Sequence, residues 1–337
     1  MVTFNECIIG INNKVRVKKR DVLLNQVNTN KPFKSFGRLE GIGYKLSEII
    51  GVNKNEIKTG IVVFAGDHGV SEMEVSVFSQ GQTKRVVNLL GKGTMPLNKI
   101  VKNQNIQVKC YDVGINGKVE YNDIVVDMKI KNSTNNMIYK DAMPVKDVYS
   151  AIEVGIRVAE EWNNNKFNIL AVGEIGISNT ISASIITTIL CDRKVDEVTD
   201  VGTGVSGEKL MLKKNIINEL VEKYRQLKES PIELLAKVGG YEICSVIGTI
   251  LGCAYYKIPI VIDGYITSAA ALVAYKICPN IKPYIFASHI SAEKGHKYII
   301  DELNLMPIVD LKMKYGVATG AAIALPIYKM AYELTNI

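Results

Sequence analysis

Short, continuously apolar segments that end in polar turns are the feature of this sequence that most restricts its fold. The first is Ile61–Ala65, which leads directly into Gly66-Asp67-His68-Gly69. Strands of this length that are apolar on both faces are typical of a parallel sheet covered by helices on both sides. Further predicted strands, which are mainly apolar, follow at Ile106–Val113, Phe167–Val172, Ile258–Ile262 and Tyr284–Ala287.

Segments with helical patterns alternate with these runs. Leu39–Ile50, for example, has apolar residues at close to helical spacing. Such alternation predicts an α/β fold with a mainly parallel sheet flanked by helices. The helical segments at the two ends of the chain could meet and form a small second domain. The other predicted helices are Gln82–Leu90, Val148–Trp162, Ile181–Leu190, Lys209–Leu227, Tyr241–Tyr255, Thr267–Ile277 and most of the tail from Tyr298 onward.

Composition narrows the functional classes. The 337-residue chain has a formal charge of +7, and its lysines are scattered rather than gathered into a basic stripe. We interpret this excess as weak attraction for small anions and predict no nucleic-acid site. No apolar stretch reaches the roughly 18–20 residues that a spanning helix needs. Because Met1–Gly10 also lacks the features of a signal peptide, we expect a cytoplasmic protein that does not bind membranes.

The six cysteines show no metal-binding pattern. They form no CxxC pair, none has a histidine at ligand spacing, and most lie in apolar runs. We therefore expect reduced thiols in the core, and we predict neither a metal site nor a cofactor.

Gly173–Thr180 is the strongest candidate for a binding site. An apolar strand ends here, the backbone turns on two glycines, and a helix begins at Ser178-Asn179-Thr180. Side chains of these three types accept hydrogen bonds from free N–H groups at a helix N-terminus. Such a terminus also suits a phosphate, and Glu174 places one carboxylate at its rim. An ordinary capped strand-to-helix turn would show the same pattern.

Polar residues also follow the other predicted strands. Ligands of parallel α/β sheets bind beyond the carboxyl ends of the strands, so we expect these residues to converge on one crevice. Asp67 and His68 could act as an acid-base pair there, although an Asp at a strand end more often fixes a neighbouring loop. The remaining members of this group are Asp112, Asp263 and Ser288-His289.

Two further motifs are weak on their own. Gly202-Thr203-Gly204 followed by Lys213 resembles an anion cradle, but its spacing matches neither a P-loop nor a dinucleotide fingerprint. Phe78, between Ser76 and Gln80, could lie against a flat ring or pack in the core. The absence of GxSxG argues against a serine hydrolase built on Ser288 and His289. No GxGxxG follows a strand, which argues against an oxidoreductase.

Taken in order, the motifs resemble the nicotinate-nucleotide:dimethylbenzimidazole phosphoribosyltransferases, which prepare the lower ligand of cobamides. The similarity extends over most of the chain. It includes Lys31-Pro32, Ser35-Phe36-Gly37-Arg38-Leu39-Glu40, Phe64–Val70, Val75-Ser76, Gln80, Gly173–Thr180, Gly202–Gly204, Val238-Gly239-Gly240, Val261–Tyr265, Ala287-Ser288-His289, Ser291-Ala292-Glu293 and Gly295-His296.

The resemblance implies a two-domain dimer and a reaction. The large domain would be a Rossmann-like catalytic domain of residues 58–304, and residues 1–57 and 305–337 would form a small helical domain. The enzyme would transfer phosphoribosyl from nicotinate mononucleotide to an aromatic acceptor, release nicotinate, and give a product of α configuration.

The resemblance also assigns candidate site residues. Ser76, Phe78 and Gln80 would lie beside the acceptor, at the pocket end that also contains Val317. The phosphate and ribose would be bound by Gly176, Ser178, Asn179, Thr180, Gly202, Thr203, Gly204, Lys213, Ser291 and Glu293.

One position departs from the family pattern. The last small-residue turn usually reads Gly-Glu-Gly-Thr-Gly, and its Glu is the general base, whereas this chain has Gly316-Val317-Ala318-Thr319-Gly320. A positioned base contributes about 10²- to 10⁴-fold to a rate. Either the chain is a binding subunit that supports an active homologue, or its acceptor differs and Glu174 supplies the base directly or through a water.

The second explanation matches a branch of the family that acts on phenol and p-cresol as a pair of related subunits. An apolar Val317 suits such rings, and a phenolic hydroxyl ionises near pH ~10. We therefore favour a phenolic acceptor over a benzimidazole, with Glu174 as the catalytic residue. The assembly would be a homodimer or a heterodimer with a related subunit.

Overall fold

The computed structural model of the protein describes residues 2–13, 35–52, 54, 56–202 and 204–334. Within these ranges six strands form one sheet, and all neighbouring strands are parallel. The strands are β1 (Thr59–Gly66), β2 (Ile106–Gly114), β3 (Val125–Asp127), β4 (Ile169–Ile175), β5 (Ile260–Ile262) and β6 (Ile285–Ala287). They lie in the order β3-β2-β1-β4-β5-β6. The predicted α/β class with a mainly parallel, Rossmann-like sheet is confirmed.

Helices connect the strands and cover the sheet. Three short 3₁₀ segments accompany them, at Gly69–Met73, Arg225–Glu229 and Pro279–Tyr284. In the described residues the α-helices are α1 (Phe4–Asn13), α2 (Arg38–Ile50), α3 (Gly81–Gly91), α4 (Pro96–Val101), α5 (Val145–Asn164), α6 (Asn179–Leu190), α7 (Val195–Val198), α8 (Gly207–Tyr224), α9 (Pro231–Val238), α10 (Tyr241–Tyr256), α11 (Tyr265–Ile277), α12 (His296–Glu302) and α13 (Thr319–Leu334).

Successive residues of the central strands pack into two different cores. Val62 and Phe64 of β1 belong to a cluster that includes the inner faces of α5, α6, α10 and α11. Ile61 and Val63 of the same strand belong to a second cluster with α2, α3, α4 and α13. Both faces of the sheet are therefore covered, which is why its central strands are mainly apolar on both faces.

Small residues allow α10 and α5 to approach closely. A Cβ on Gly248 would lie 1.8 Å from the carbonyl oxygen of Ile152, and one on Gly155 would lie 2.0 Å from that of Ser245. Ser245 Oγ also donates a hydrogen bond to the carbonyl oxygen of Ala151 at 3.0 Å. This contact fixes the N-terminal end of α10 over the carboxyl edge of the sheet.

The sequence-based element assignment needs two corrections. First, β3, α1, α4, α7 and α9 were not predicted. Second, residues 303–318 are not helical, although the tail was expected to be mainly helical. Pro307 disfavours helix at the residue before it. The segment instead runs beside residues 288–290 and is joined to them by backbone hydrogen bonds. Ile308 N–H donates to the carbonyl oxygen of Ser288, and Ile290 N–H donates to the carbonyl oxygen of Val309.

The two ends of the chain pack in different places. α1 contacts α5 and α10, whereas α2 packs against α13. The proposed division into residues 1–57 plus 305–337 and residues 58–304 stays a prediction. Residues 14–34, which include the predicted Lys31-Pro32 match, lie outside the described part of the chain. None of the helices in the described ranges is long and apolar enough to cross a membrane.

Candidate active site

The polar residues that follow the strands meet at the carboxyl edge of the sheet. Asp67 and His68 follow β1, Glu174 lies near the end of β4, Asp263 follows β5, and His289 follows β6. All five side chains are buried. The convergence expected from the strand pattern is therefore present, and it produces a crevice that contains several buried carboxyl groups.

Glu174 is the central acidic group of this crevice. One of its carboxyl oxygens accepts a hydrogen bond from Asn179 Nδ2. The other lies 3.3 Å from the position that a Cβ on Gly316 would occupy, so the group faces the Gly316–Gly320 turn. Burial raises the pKa of Glu174 to about 8, the charges of Glu242 and Asp263 add to this rise, and the Asn179 bond opposes it. Glu174 is therefore largely protonated at neutral pH, and its ionised form, which is populated from about pH 8 upward, is a stronger base than an ordinary glutamate.

His68 and Glu242 form a buried pair behind Glu174. Both side chains are 0% exposed, and His68 Nε2 lies 2.6 Å from Glu242 Oε1. Ser182 Oγ lies 3.3 Å from the other ring nitrogen of His68. Glu242 was not among the predicted residues. The only signal for it was its place two residues after Gly239-Gly240, at the start of a predicted helix.

Asp263 fixes the turn that contains Val317. Its Oδ1 accepts a hydrogen bond of 2.8 Å from Ala321 N–H. Burial raises the pKa of Asp263 to about 6, although backbone N–H groups of the turn and of Gly264 oppose the rise. The turn is thus held to the end of β5 by a buried carboxyl group.

Val317 and Ala318 both have left-handed backbone, with φ of 58° and 56°. This conformation is uncommon for residues other than glycine and is strained for a β-branched residue. Val317 is half-buried and packs against the second core cluster, and Ala318 is fully buried. A Cβ on Gly173 would lie 2.5 Å from Ala318 Cβ, so only glycine fits on β4 at this point.

The start of α6 departs from the expected capping pattern. Ser178 has φ of 72° and makes no side-chain cap bond, so the prediction that its hydroxyl satisfies helix N–H groups is wrong. The left-handed backbone turns this hydroxyl away from them, and Ser178 Oγ is buried without a partner among the described residues. Asn179 does not cap the helix with its side chain either. Its Nδ2 donates a hydrogen bond to the carboxyl group of Glu174 and lies 3.4 Å from Glu242 Oε1.

Lys213, Gly202 and Thr180 come together from three parts of the chain. Lys213 Nζ donates to the carbonyl oxygen of Asp200 at 3.1 Å. It lies 3.0 Å from the position of a Cβ on Gly202, and Thr180 Oγ1 lies 3.6 Å from the same point. Burial lowers the pKa of Lys213, and the charges of Glu293 and Asp200 oppose this. This cluster is a buried cationic corner that an anion could enter.

Four more of the predicted phosphate and ribose residues are described by the structure: Gly202, Gly204, Ser291 and Glu293. Gly202 and Gly204 have φ of 57° and 109°, which suits glycine. Ser291 Oγ accepts a bond of 3.3 Å from Glu293 N–H. Burial raises the pKa of Glu293, and Lys213 opposes the rise. Thr203 lies outside the described residues.

The predicted acceptor loop is held beside His68. Gln80 Nε2 donates to the carbonyl oxygen of His68 at 3.3 Å and to Ser133 Oγ at 3.1 Å. Ser76 Oγ accepts a bond of 3.2 Å from Phe78 N–H. Phe78 itself is 46% exposed, so the alternative that it is a core residue is wrong for this chain.

The sheet and its carboxyl-edge crevice place the protein in the class of Rossmann-like α/β enzymes that bind ligands at the ends of parallel strands. A family model described as phosphoribosyltransferase matches residues 13–337. The chain belongs to this phosphoribosyltransferase family, and it is a transferase of the glycosyltransferase type.

Individual relatives are similar over nearly their whole length. A nicotinate-nucleotide–dimethylbenzimidazole phosphoribosyltransferase of Clostridium acetobutylicum is 36% identical over 96% of this chain and 91% of its own. One of Clostridioides difficile is 39% identical over 88% and 85%. The crystal structure of CobT from Thermus thermophilus superposes with a TM-score of 0.88 at 29% identity, covering 95% of this chain and 96% of that one.

Proposed function

We propose that the protein transfers the phosphoribosyl group of nicotinate mononucleotide to a phenolic acceptor, phenol or p-cresol, and so forms an α-ribotide for cobamide biosynthesis. The names of its relatives support the donor and the general reaction. The single observation that carries the phenolic preference is the turn opposite Glu174. It presents Val317 where a second carboxylate would be needed for a benzimidazole nitrogen.

Two features support binding of the sugar phosphate at this edge. The N-terminus of α6 carries a partial positive charge, and the hydroxyl of Ser178, which has no partner among the described residues, lies there. The buried ammonium of Lys213, next to Thr180 and Gly202, supplies a full positive charge. We infer that the phosphate lies between them, with Ser291 and Glu293 toward the ribose.

The acceptor would lie between the Phe78 loop and the Gly316–Gly320 turn. Phe78 offers an exposed ring for stacking, Gln80 and Ser76 supply polar atoms beside it, and Val317 forms an apolar wall. An apolar wall favours a small phenolic ring because burying a polar ring atom without a partner is unfavourable.

The chemical step exchanges one bond at C1′ for another. The phenolic oxygen forms a bond to C1′ on the face opposite nicotinate, the bond from C1′ to the nicotinate nitrogen breaks, and nicotinate leaves with that electron pair. Glu174 takes the hydroxyl proton. The pKa of Glu174, about 8, is within about two units of the pKa of a phenolic hydroxyl, which is ~10. The proton transfer is therefore only slightly unfavourable.

The acceptor can be identified directly. The purified protein is incubated with nicotinate mononucleotide and phenol, p-cresol or dimethylbenzimidazole, and ribotides are detected by mass spectrometry. We expect the phenolic products to form fastest. Formation of the benzimidazole product alone would overturn the phenolic preference.

The role of Glu174 can be tested on the same reaction. Glu174→Gln should lower kcat by about 10²- to 10⁴-fold, because a positioned base is lost, while the mononucleotide still binds. Glu161→Gln is the matched control, because Glu161 pairs with Lys109 at the opposite edge of the sheet. Full turnover by Glu174→Gln would exclude Glu174 as the base.

A second candidate function is favoured by Val317 alone. The chain would then be a subunit without turnover that supports an active homologue in a heterodimer, rather than an enzyme acting as a homodimer. Turnover only after addition of a related chain would favour this candidate.

Restoring the missing carboxylate distinguishes the two candidates. Val317→Glu should give transfer to dimethylbenzimidazole, increased by about 10²-fold or more, if the rest of the site is competent. The same variant should lower transfer to phenol, because the apolar wall beside the ring is lost. No gain with any acceptor would favour the supporting subunit.

A further inference from the structure

His68 and Glu242 lie outside the residues that the proposed reaction uses, yet they are among the least exposed polar groups of the protein. Both are 0% exposed and lie 2.6 Å apart. A buried charge is unfavourable unless it is paired. Glu242 is also the second residue of α10, where the partial positive charge of the helix favours an anion. The Glu242 carboxyl group thus has two stabilising neighbours, the His68 ring and the start of α10.

Three glycines make room for this pair. A Cβ on Gly66 would lie 3.0 Å from Glu242 Oε2, and one on Gly176 would lie 3.0 Å from Glu242 Oε1. A Cβ on Gly240 would lie 2.4 Å from the His68 ring. The ends of β1 and β4 and the start of α10 therefore approach the pair more closely than any other residue type would allow.

Asn179 connects the pair to the candidate base. Its Nδ2 donates to Glu174 and lies 3.4 Å from Glu242 Oε1, so one amide group joins the two carboxyl groups. Asn179 is itself buried at the first position of α6. The side chain of Glu174 is thus oriented by a group whose own place is fixed by Glu242.

We propose that Glu242, paired with His68 at the start of α10, is a positioning residue that acts through Asn179 to orient Glu174. This inference rests on the proposed function, in which Glu174 takes the proton of the acceptor. Glu242 does not touch the reacting atoms. Its charge stands behind Glu174 and makes the protonated form of Glu174 more favourable.

The electrostatics of the crevice agree with this role. After burial, the charge of Glu242 is the largest cause of the raised pKa of Glu174. The charge of Glu242 also raises the pKa of Asp67, for which burial is again the main cause. The start of α6 and the Gly316–Gly320 turn contribute no charged side chain. The titratable groups that face the pair of carboxyl groups are Asp67 and His68 at the end of β1, Asp263 at the end of β5, and the Cys244 thiol in the first turn of α10.

The test is the pH dependence of turnover in Glu242→Gln, a change that keeps the shape of the side chain and removes its charge. The acid limb of kcat/KM should move to lower pH by about one unit, because Glu174 loses a neighbouring negative charge. The plateau of kcat at higher pH should fall about 3- to 10-fold, because the base is weaker. KM for nicotinate mononucleotide should not change.

Two variants complete the kinetic experiment. His68→Gln should shift the acid limb in the same direction, because Glu242 loses the contact that holds its side chain beside Asn179 and Glu174. If Glu242→Gln does not fold, His68→Gln serves in its place for the pH profile. Glu161→Gln, the same substitution at the opposite edge of the sheet, should keep the wild-type profile.

Infrared titration of the intact protein tests the inference without turnover. The band of the protonated Glu174 carboxyl group is assigned by its loss in Glu174→Gln, and its midpoint should move to lower pH in Glu242→Gln. An unchanged midpoint in both Glu242→Gln and His68→Gln would overturn the inference. A different outcome would separate the two proposals. If the wild type makes no ribotide but the infrared midpoint still moves in Glu242→Gln, the proposed function is wrong and the coupling between Glu242 and Glu174 is established.

Discussion

At the scale of single residues, the crevice contains a carboxyl group whose charged form is unfavourable in the folded protein. Burial and the neighbouring acids raise the pKa of Glu174 to about 8, whereas in an unfolded chain a Glu titrates near pH ~4.3. Between these values the folded protein holds a proton that the unfolded chain has lost. Glu174 therefore makes the protein less stable as pH rises through this range.

Stability should show this effect most clearly above the range in which histidines titrate. From about pH 6.5 to about pH 8.5 the free energy of unfolding of the wild type should fall. Glu174→Gln should remove most of the fall and be more stable by about 1–3 kcal/mol at the upper end. Urea denaturation at a series of pH values measures both curves.

The pH window follows from the other buried groups. Burial lowers the pKa of His289, and it lowers that of His296 to about 3, so both reduce stability only as pH falls below the ordinary histidine range. Glu161→Gln serves as the control and should keep the wild-type slope. Parallel curves for Glu174→Gln and the wild type would show that Glu174 is not protonated in the folded protein at neutral pH.

At the scale of elements, two helices begin at the crevice with unused hydroxyl groups. Ser178 Oγ precedes α6, and Thr319 Oγ1 is the first hydroxyl of α13; both are buried without a hydrogen-bond partner among the described residues. Buried polar groups without partners are rare in folded proteins. Their position at two helix N-termini that face one crevice fits a ligand with anionic oxygens.

Ser178→Ala should separate ligand binding from stability. Within the described part of the chain the hydroxyl has no partner, so its loss should leave the melting temperature unchanged or slightly higher. The dissociation constant for nicotinate mononucleotide should rise about 10-fold or more, because a hydrogen bond to a charged group is lost. Calorimetric titration and a thermal melt measure the two quantities.

Thr187→Val is the matched control on the same helix. The hydroxyl of Thr187 donates to the carbonyl oxygen of Ala183 at 2.7 Å and faces no ligand. Binding should be unchanged in this variant. Equal affinities for Ser178→Ala and the wild type would place the phosphate elsewhere.

The contact between α5 and α10 makes a second prediction at this scale. Gly248→Ala should destabilise the protein by about 2 kcal/mol or more, because its Cβ would lie 1.8 Å from a backbone oxygen. Gly41→Ala lies in α2 with open space around it and should stabilise by about 0.5–1 kcal/mol. The two free energies of unfolding should have opposite signs relative to the wild type; a neutral Gly248→Ala would mean that the helices separate easily.

At the scale of the whole molecule, the sequence predicts the architecture better than it predicts the site. Five of the six strands were readable because each is a short, mainly apolar run that ends in a polar turn, as expected for a sheet covered on both sides. β3, with three residues, is too short to show a pattern. Residues 303–318 were assigned to a helical tail because local composition does not reveal that they lie beside residues 288–290.

The candidate site was also predicted only in part from the sequence. Asp67, His68, Glu174 and Asp263 were identifiable because each lies at or near the end of an apolar run. Glu242 was not, since a glutamate in the first turn of a helix usually faces solvent and favours the helix dipole. Only the close packing of α10 on the edge of the sheet buries this residue against His68.

The bond from Ala321 to Asp263 has a consequence for synthesis of the protein. Until α13 docks, Asp263 has no donors from the Gly316–Gly320 turn or from Ala321, and one wall of the proposed acceptor pocket does not exist. A nascent chain that has released β1 through β6 from the ribosome is therefore still without the complete candidate active site. Activity would arise only when the segment around residues 316–334 emerges, so ribosomes that stall before it would yield a nearly complete but inactive product.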